Sequence, residues 1–75
     1  MRDRAVVGMR PVVSEAVARI GYDEEAQEVY VEFNSGRTYA YMDVPAPVWQ
    51  DFETADSKGG FVNRVLKPNY AGREV

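Results

Sequence analysis

The segment EVYVEFNSGRTYAYM, residues 28–42, changes register of polarity at every position before a short loop and resumes after it. Val29, Val31 and Phe33 fall on one side, and Glu28, Tyr30 and Glu32 on the other. That alternation is the pattern of a half-buried antiparallel strand. RTYAYM (37–42) follows after only Asn34, Ser35 and Gly36. A three-residue hairpin loop ending in Gly is a type I turn with a bulge, Gly36 taking the left-handed conformation that other residues avoid. This predicts Phe33 opposite Arg37, Val31 opposite Tyr39 and Val29 opposite Tyr41. Directly opposed residues share a face. Tyr39 and Tyr41 are therefore expected beside the Val–Val–Phe stripe, as core or core rim, and not as an exposed platform for nucleotide bases. A one-residue slip would move them beside Tyr30, between the carboxylates of Glu28 and Glu32, which repel a phosphate backbone.

Upstream, AVARIGYD (16–23) is short and apolar and runs into the acidic turn DEEAQ (23–27), so a further strand precedes the hairpin. Residues 1–11 mix charge with AVV and end at Pro11; they read as an arm, either loose or adding a short strand. Downstream, Pro45 and Pro47 suit a first helical turn, where a missing N–H would have no partner anyway. Val48, Phe52 and Ala55, flanked by Trp49, then make one apolar helix face. A second helix is expected from Asp56 or Ser57 as N-cap to just before Pro68, with Phe61, Val62, Val65 and Leu66 as its stripe. Tyr70 is expected to fold back onto the core edge. The sum is an α+β fold: a three-stranded antiparallel meander with two short helices packed on one face, forming a single domain over 12–75. Tyr39, Tyr41, Trp49 and Phe52 are its structural aromatics.

Seventy-five residues hold one domain and a thin margin of stability, since an unaided core of this size rarely supplies more than about 3–5 kcal/mol. Cysteine and histidine are both absent. That removes disulfides, thiolate metal sites, the commonest general base and the commonest nitrogen ligand. No apolar run approaches the roughly 18 residues of a membrane span, and the N-terminus lacks a signal-peptide core, so a cytoplasmic protein with no membrane contact is the expectation. The net charge of −3 is unevenly placed. Residues 1–56 carry five Lys/Arg against eleven Asp/Glu, whereas residues 57–75 carry Lys58, Arg64, Lys67 and Arg73 against Glu74 alone. Any polyanion would have to be met by that basic end, because nucleic-acid affinity is chiefly phosphate neutralisation.

Candidate chemistry is sparse. Asp23, Glu24, Glu25 and Glu28 sit at a hairpin tip, where carboxylates stay solvated, and they lack the alternating ligands and central Gly of a calcium loop. Ser14, Ser35 and Ser57 have no histidine to activate them. No enzyme, metal or cofactor is expected. SKGGFVNR (57–64) admits two readings. Free backbone N–H groups at a glycine-rich helix start, beside Lys58 and Arg64, could hold one phosphate or carboxylate. Alternatively Ser57 simply caps the helix and a glycine lets its first turn press against the sheet. Trp49 and Phe52 on one helix are either core or a protein-binding patch.

Val13-Ser14, IGYD (20–23), VYVEFNSGRTYAY (29–41), DVPAPVW (43–49), Ala55, SKGGFVN (57–63) and Tyr70 occur in one order and spacing that resembles the KTSC domain family. That module of about sixty residues is named for the C-terminus of some lysyl-tRNA synthetases and also occurs as a stand-alone small bacterial protein. The likeness spans about residues 12–70; Glu15 and Ala40 depart from it, Ala40 standing where members often carry a basic residue. The family's biochemical role is undefined, and what the resemblance implies, through the synthetase association, is RNA binding; with the residues' own reading this gives a non-enzymatic binding module for RNA of tRNA type at the basic C-terminal end. Its site would be Ser57, Lys58, Gly59, Gly60, Arg64 and Lys67, with Arg37 or Tyr70 assisting. The other expectation, from the acidic charge and Trp49, is a protein-interaction or assembly module that binds no nucleic acid.

Overall fold

The computed structural model describes residues 9–75. Five antiparallel strands lie in chain order: β1 (Arg10–Pro11), β2 (Val17–Asp23), β3 (Glu28–Phe33), β4 (Thr38–Tyr41) and β5 (Gly72–Glu74). Between β4 and β5 come α1 (Ala46–Thr54) and a helical run over 58–69. The run consists of α2 (Lys58–Phe61), a π-helical turn (Val62–Leu66) and α3 (Lys67–Asn69). The class is α+β. The expected three strands are corrected to five, because two short edge strands extend the meander on either side. Neither shows strand character in sequence: β1 is two exposed residues including Pro11, and β5 is the exposed triplet Gly72–Glu74. Edge strands tolerate Pro and Gly because one side of their backbone needs no partner. Of the arm expected over residues 1–11, Arg10 and Pro11 form β1, and residues 1–8 lie outside the described residues.

The central hairpin has Val29 opposite Tyr41, Tyr30 opposite Ala40 and Val31 opposite Tyr39. Its loop closes through Phe33 N–H to the Arg37 carbonyl (2.8 Å) and Gly36 N–H to the Phe33 carbonyl (2.9 Å), with Gly36 at φ +98°. The β2–β3 turn is closed differently. Asp23 Oδ1 accepts from the backbone N–H of Glu25 and Ala26, an Asx turn, and Gln27 takes the left-handed conformation at φ +55°.

Both helical segments cover the face that carries Val17, Ile20, Val29, Val31 and Tyr41. Phe52, Phe61, Val62 and Leu66 complete that core with Val44. Among these, Phe52 and Leu66 are fully buried, while Trp49, Tyr39 and Tyr70 are half-buried and pack against the cluster. The helical run does not stop before Pro68, as expected, but reaches Asn69. In the wider turn upstream, Lys67 N–H reaches back five residues to the Val62 carbonyl. This shifts the ladder just ahead of Pro68, which then occupies the opening turn of α3, where its missing N–H is tolerated. The opposite face is less open than its charges suggest. Tyr30 and Glu28 are buried there, the Tyr30 hydroxyl donating to Glu28 Oε1 at 2.7 Å, with Arg73 Nη1 3.8 Å from Glu28 Oε2.

Candidate nucleic-acid interface

Ser57 stands in extended backbone at the start of the helical run, and its Oγ accepts from Gly60 N–H at 3.0 Å. The capping residue expected from sequence is thus in place. The two glycines that follow have separate steric reasons. A β-carbon on Gly59 would meet Ala16 Cβ at 3.2 Å, so this turn lies close against the segment entering β2. A β-carbon on Gly60 would stand 2.8 Å from Ser57 Oγ and 2.9 Å from Arg64 Nη1. The guanidinium of Arg64 therefore curls back over the first turn, next to the cap. The facing segment is itself fixed: Ser14 Oγ accepts from Ala16 and Val17 N–H, and Asn34 Nδ2 donates to the Glu15 carbonyl at 2.8 Å.

Between these two segments lies an open groove of about 650 Å³. Ser57, Gly59, Gly60 and Asn63 line one side and Val13, Ser14, Glu15 and Ala16 the other, with Asp56 at its end. Its walls therefore carry two carboxylates, and the groove floor is a poor seat for an anion. Arg64 alone of Lys58, Arg64 and Lys67 is placed beside the cap, its guanidinium over the first turn. Lys58 Nζ donates to the Ala55 carbonyl at 2.6 Å, at the C-terminal end of α1, where a cation meets the negative end of the helix dipole. Arg64 and Lys67 are exposed on the outward side of the run, opposite the buried Phe61, Val62 and Leu66. From Ser57 to Arg73 the chain has no Asp or Glu.

The structure therefore brings Ser57, Gly59, Gly60 and Arg64 together and sets Lys58 apart. Arg37 immediately precedes β4 and faces Glu74 of β5 at 4.0 Å. Tyr70 packs on the core edge. Tyr39 and Tyr41 stack on each other on the helix-covered side, ring centroids 6.5 Å apart, and Tyr41 is 3% exposed. Glu15 and Asp56 as groove walls follow from the tertiary contact between residues 13–16 and 56–60, which no local pattern encodes. Among the described residues, no group of three or more Asp, Glu, His or Cys could hold a metal ion, and no helix is long and apolar enough to cross a membrane.

The family model of the KTSC domain matches residues 13–70. A protein of Tsukamurella paurometabola is 42% identical over 62 residues, covering 83% of this chain and 92% of that protein. The crystal structure of a KTSC domain protein from Yersinia pestis superposes with a TM-score of 0.88 at 33% identity, covering 93% of this chain and 99% of the other. A lysine–tRNA ligase of Nostoc punctiforme is 33% identical over 54 residues, which is 72% of this chain but 10% of the ligase.

Proposed function

Starting from the fact that this chain belongs to the KTSC domain family, we propose that it is a non-enzymatic RNA-binding module that docks on the phosphate backbone through the outward face of residues 57–67. One observation carries the reading. Arg64 and Lys67 are exposed on a stretch without a carboxylate, in a chain that is otherwise acidic. Phosphate contacts supply most sequence-independent affinity for nucleic acid, so such a face is where a polyanion meets least repulsion. The likeness to part of a lysine–tRNA ligase, an enzyme that acts on tRNA, supports RNA as the polyanion.

Arg64 and Lys67 make the contacts, with Ser57, Gly60 and Asn63 beside them. Lys58 is engaged by α1 and contributes through long-range charge. With both Tyr39 and Tyr41 on the covered face, binding proceeds without stacking of bases on that pair. Affinity is therefore weak, indifferent to base sequence and sensitive to salt. The module acts in the cytoplasm.

Titration of a labelled tRNA pool at several salt concentrations tests the reading. The expected log–log slope corresponds to two or three contacts, each contributing roughly −0.7 on single strands. No saturable binding at low salt, or binding that does not weaken as salt rises, would exclude it.

A further inference from the structure

On the edge of the molecule away from the glycine-rich turn, a second cleft of about 400 Å³ lies between α1 and the β1–β2 side of the sheet. Tyr22 and Trp49 form its floor. Their rings are stacked in parallel, 8° apart in plane with centroids 5.3 Å apart, and both remain half-exposed. The Tyr22 hydroxyl donates to the Val44 carbonyl at 2.6 Å, which fixes the pair. Glu24 and Glu53 stand on the rim. The charge there is felt by the floor: burial first, then the negative charges of Glu24 and Asp23, push the Tyr22 phenol above its ordinary range.

The cleft already contains a guanidinium. Arg10, from the two-residue edge strand β1, pairs with Glu53 while its side chain stays 57% exposed. Aromatic rings beside carboxylates are surroundings that suit a flat, delocalised cation better than an ammonium. A strand of two residues holds Arg10 by few backbone contacts, so the position is one that another chain can share or take.

We propose that this cleft is a docking site for an arginine side chain presented by a protein partner, with Arg10 as its resident intramolecular occupant. It lies apart from Arg64 and Lys67, so it is independent of the RNA reading. The carboxylates of Glu24 and Glu53 disfavour a nucleic acid here and favour a cationic partner.

Trp49 is the only tryptophan, so its fluorescence reports the cleft directly. The whole protein is titrated with a short capped arginine–glycine peptide and with the same peptide bearing lysine in place of arginine. Saturable change with the arginine peptide, about two- to fivefold tighter than with lysine, is expected from the stacking preference. Glu53→Gln should weaken the arginine peptide about two- to fivefold. Arg10→Ala should strengthen it, because the competing guanidinium is gone. Arg64→Glu should leave it unchanged. Absence of saturation, equal binding of both peptides, indifference to Glu53→Gln, or weaker binding by Arg10→Ala would each overturn the proposal.

Discussion

Gly72 lies directly against the ring of Tyr41: a β-carbon built on it would stand 2.6 Å from Tyr41 Cε1 and 2.8 Å from Cδ1. The two residues are opposite each other across the β4–β5 pair. Tyr41 is buried among Val29, Val31 and the helices and cannot yield, so glycine is what lets the C-terminal strand close over the core.

Gly72→Ala is therefore expected to destabilise the fold by about 1–3 kcal/mol, the usual range for overpacking. Urea unfolding followed by Trp49 fluorescence checks this. A change of less than a few tenths would mean that β5 is not seated on Tyr41.

Of the three left-handed positions among the described residues, Gln27, Gly36 and Asp43, the first two give opposite expectations. Gly36 at φ +98° has open space around it, so Gly36→Ala meets backbone strain and nothing else, costing roughly 1–2 kcal/mol. Gln27 at φ +55° already bears that strain, so Gln27→Gly should be neutral or stabilising by up to about 1 kcal/mol. Paired unfolding curves of the two variants settle the signs.

Lys58→Met removes the ammonium from the Ala55 carbonyl while keeping the length of the side chain. A loss of about 1 kcal/mol is expected for a cation at a helix C-terminus. The same variant should cost less RNA affinity than Arg64→Glu, because this lysine faces α1.

Alkaline pH acts on two phenols. Burial, and then its neighbour Tyr39, raise Tyr41; burial and the Glu24 and Asp23 charges raise Tyr22. Both hold their protons more firmly when folded than when unfolded. Their stabilising contribution is fully present below the unfolded tyrosine value near pH 10 and is lost as pH rises through the folded values. Thermal unfolding from pH 8 to 12 should show a falling midpoint above about pH 10, and phenolate absorbance should show two late-titrating groups. Glu24→Gln should bring the Tyr22 titration back toward its usual position.

The central hairpin was legible because one local feature, a loop ending in Gly36, sets both register and side-chain direction. The helix faces were legible from local spacing too, since Val48, Phe52 and Ala55 on one segment, and Phe61, Val62, Val65 and Leu66 on the next, recur at helical intervals. The edge strands were less so: a short strand in the arm was one of two readings, and the strand at Gly72–Glu74 was not expected. Arg10–Pro11 and Gly72–Glu74 owe their strand character to a neighbour's open backbone, and their own side chains show no alternation. Pro68 misled because the π turn at Val62–Leu66, which accommodates it, has no sequence signal. In the candidate site, the Ser57 cap follows from local spacing. The capture of Lys58 by Ala55, of Arg37 by Glu74, and the acidic walls of the groove are tertiary, and they divide what composition presented as one basic cluster.

The central claim is that the face bearing Arg64 and Lys67, and not the tyrosine pair, meets RNA. Its most direct test is tRNA-pool affinity against salt for the unmodified protein, for Arg64→Glu combined with Lys67→Glu, and for Tyr39→Leu. The account predicts that the double variant loses about tenfold or more at low salt and that its slope flattens by roughly 0.7 per lost contact, while Tyr39→Leu binds like the unmodified protein. An unaffected double variant, or a Tyr39→Leu variant that loses binding while remaining folded, would contradict it.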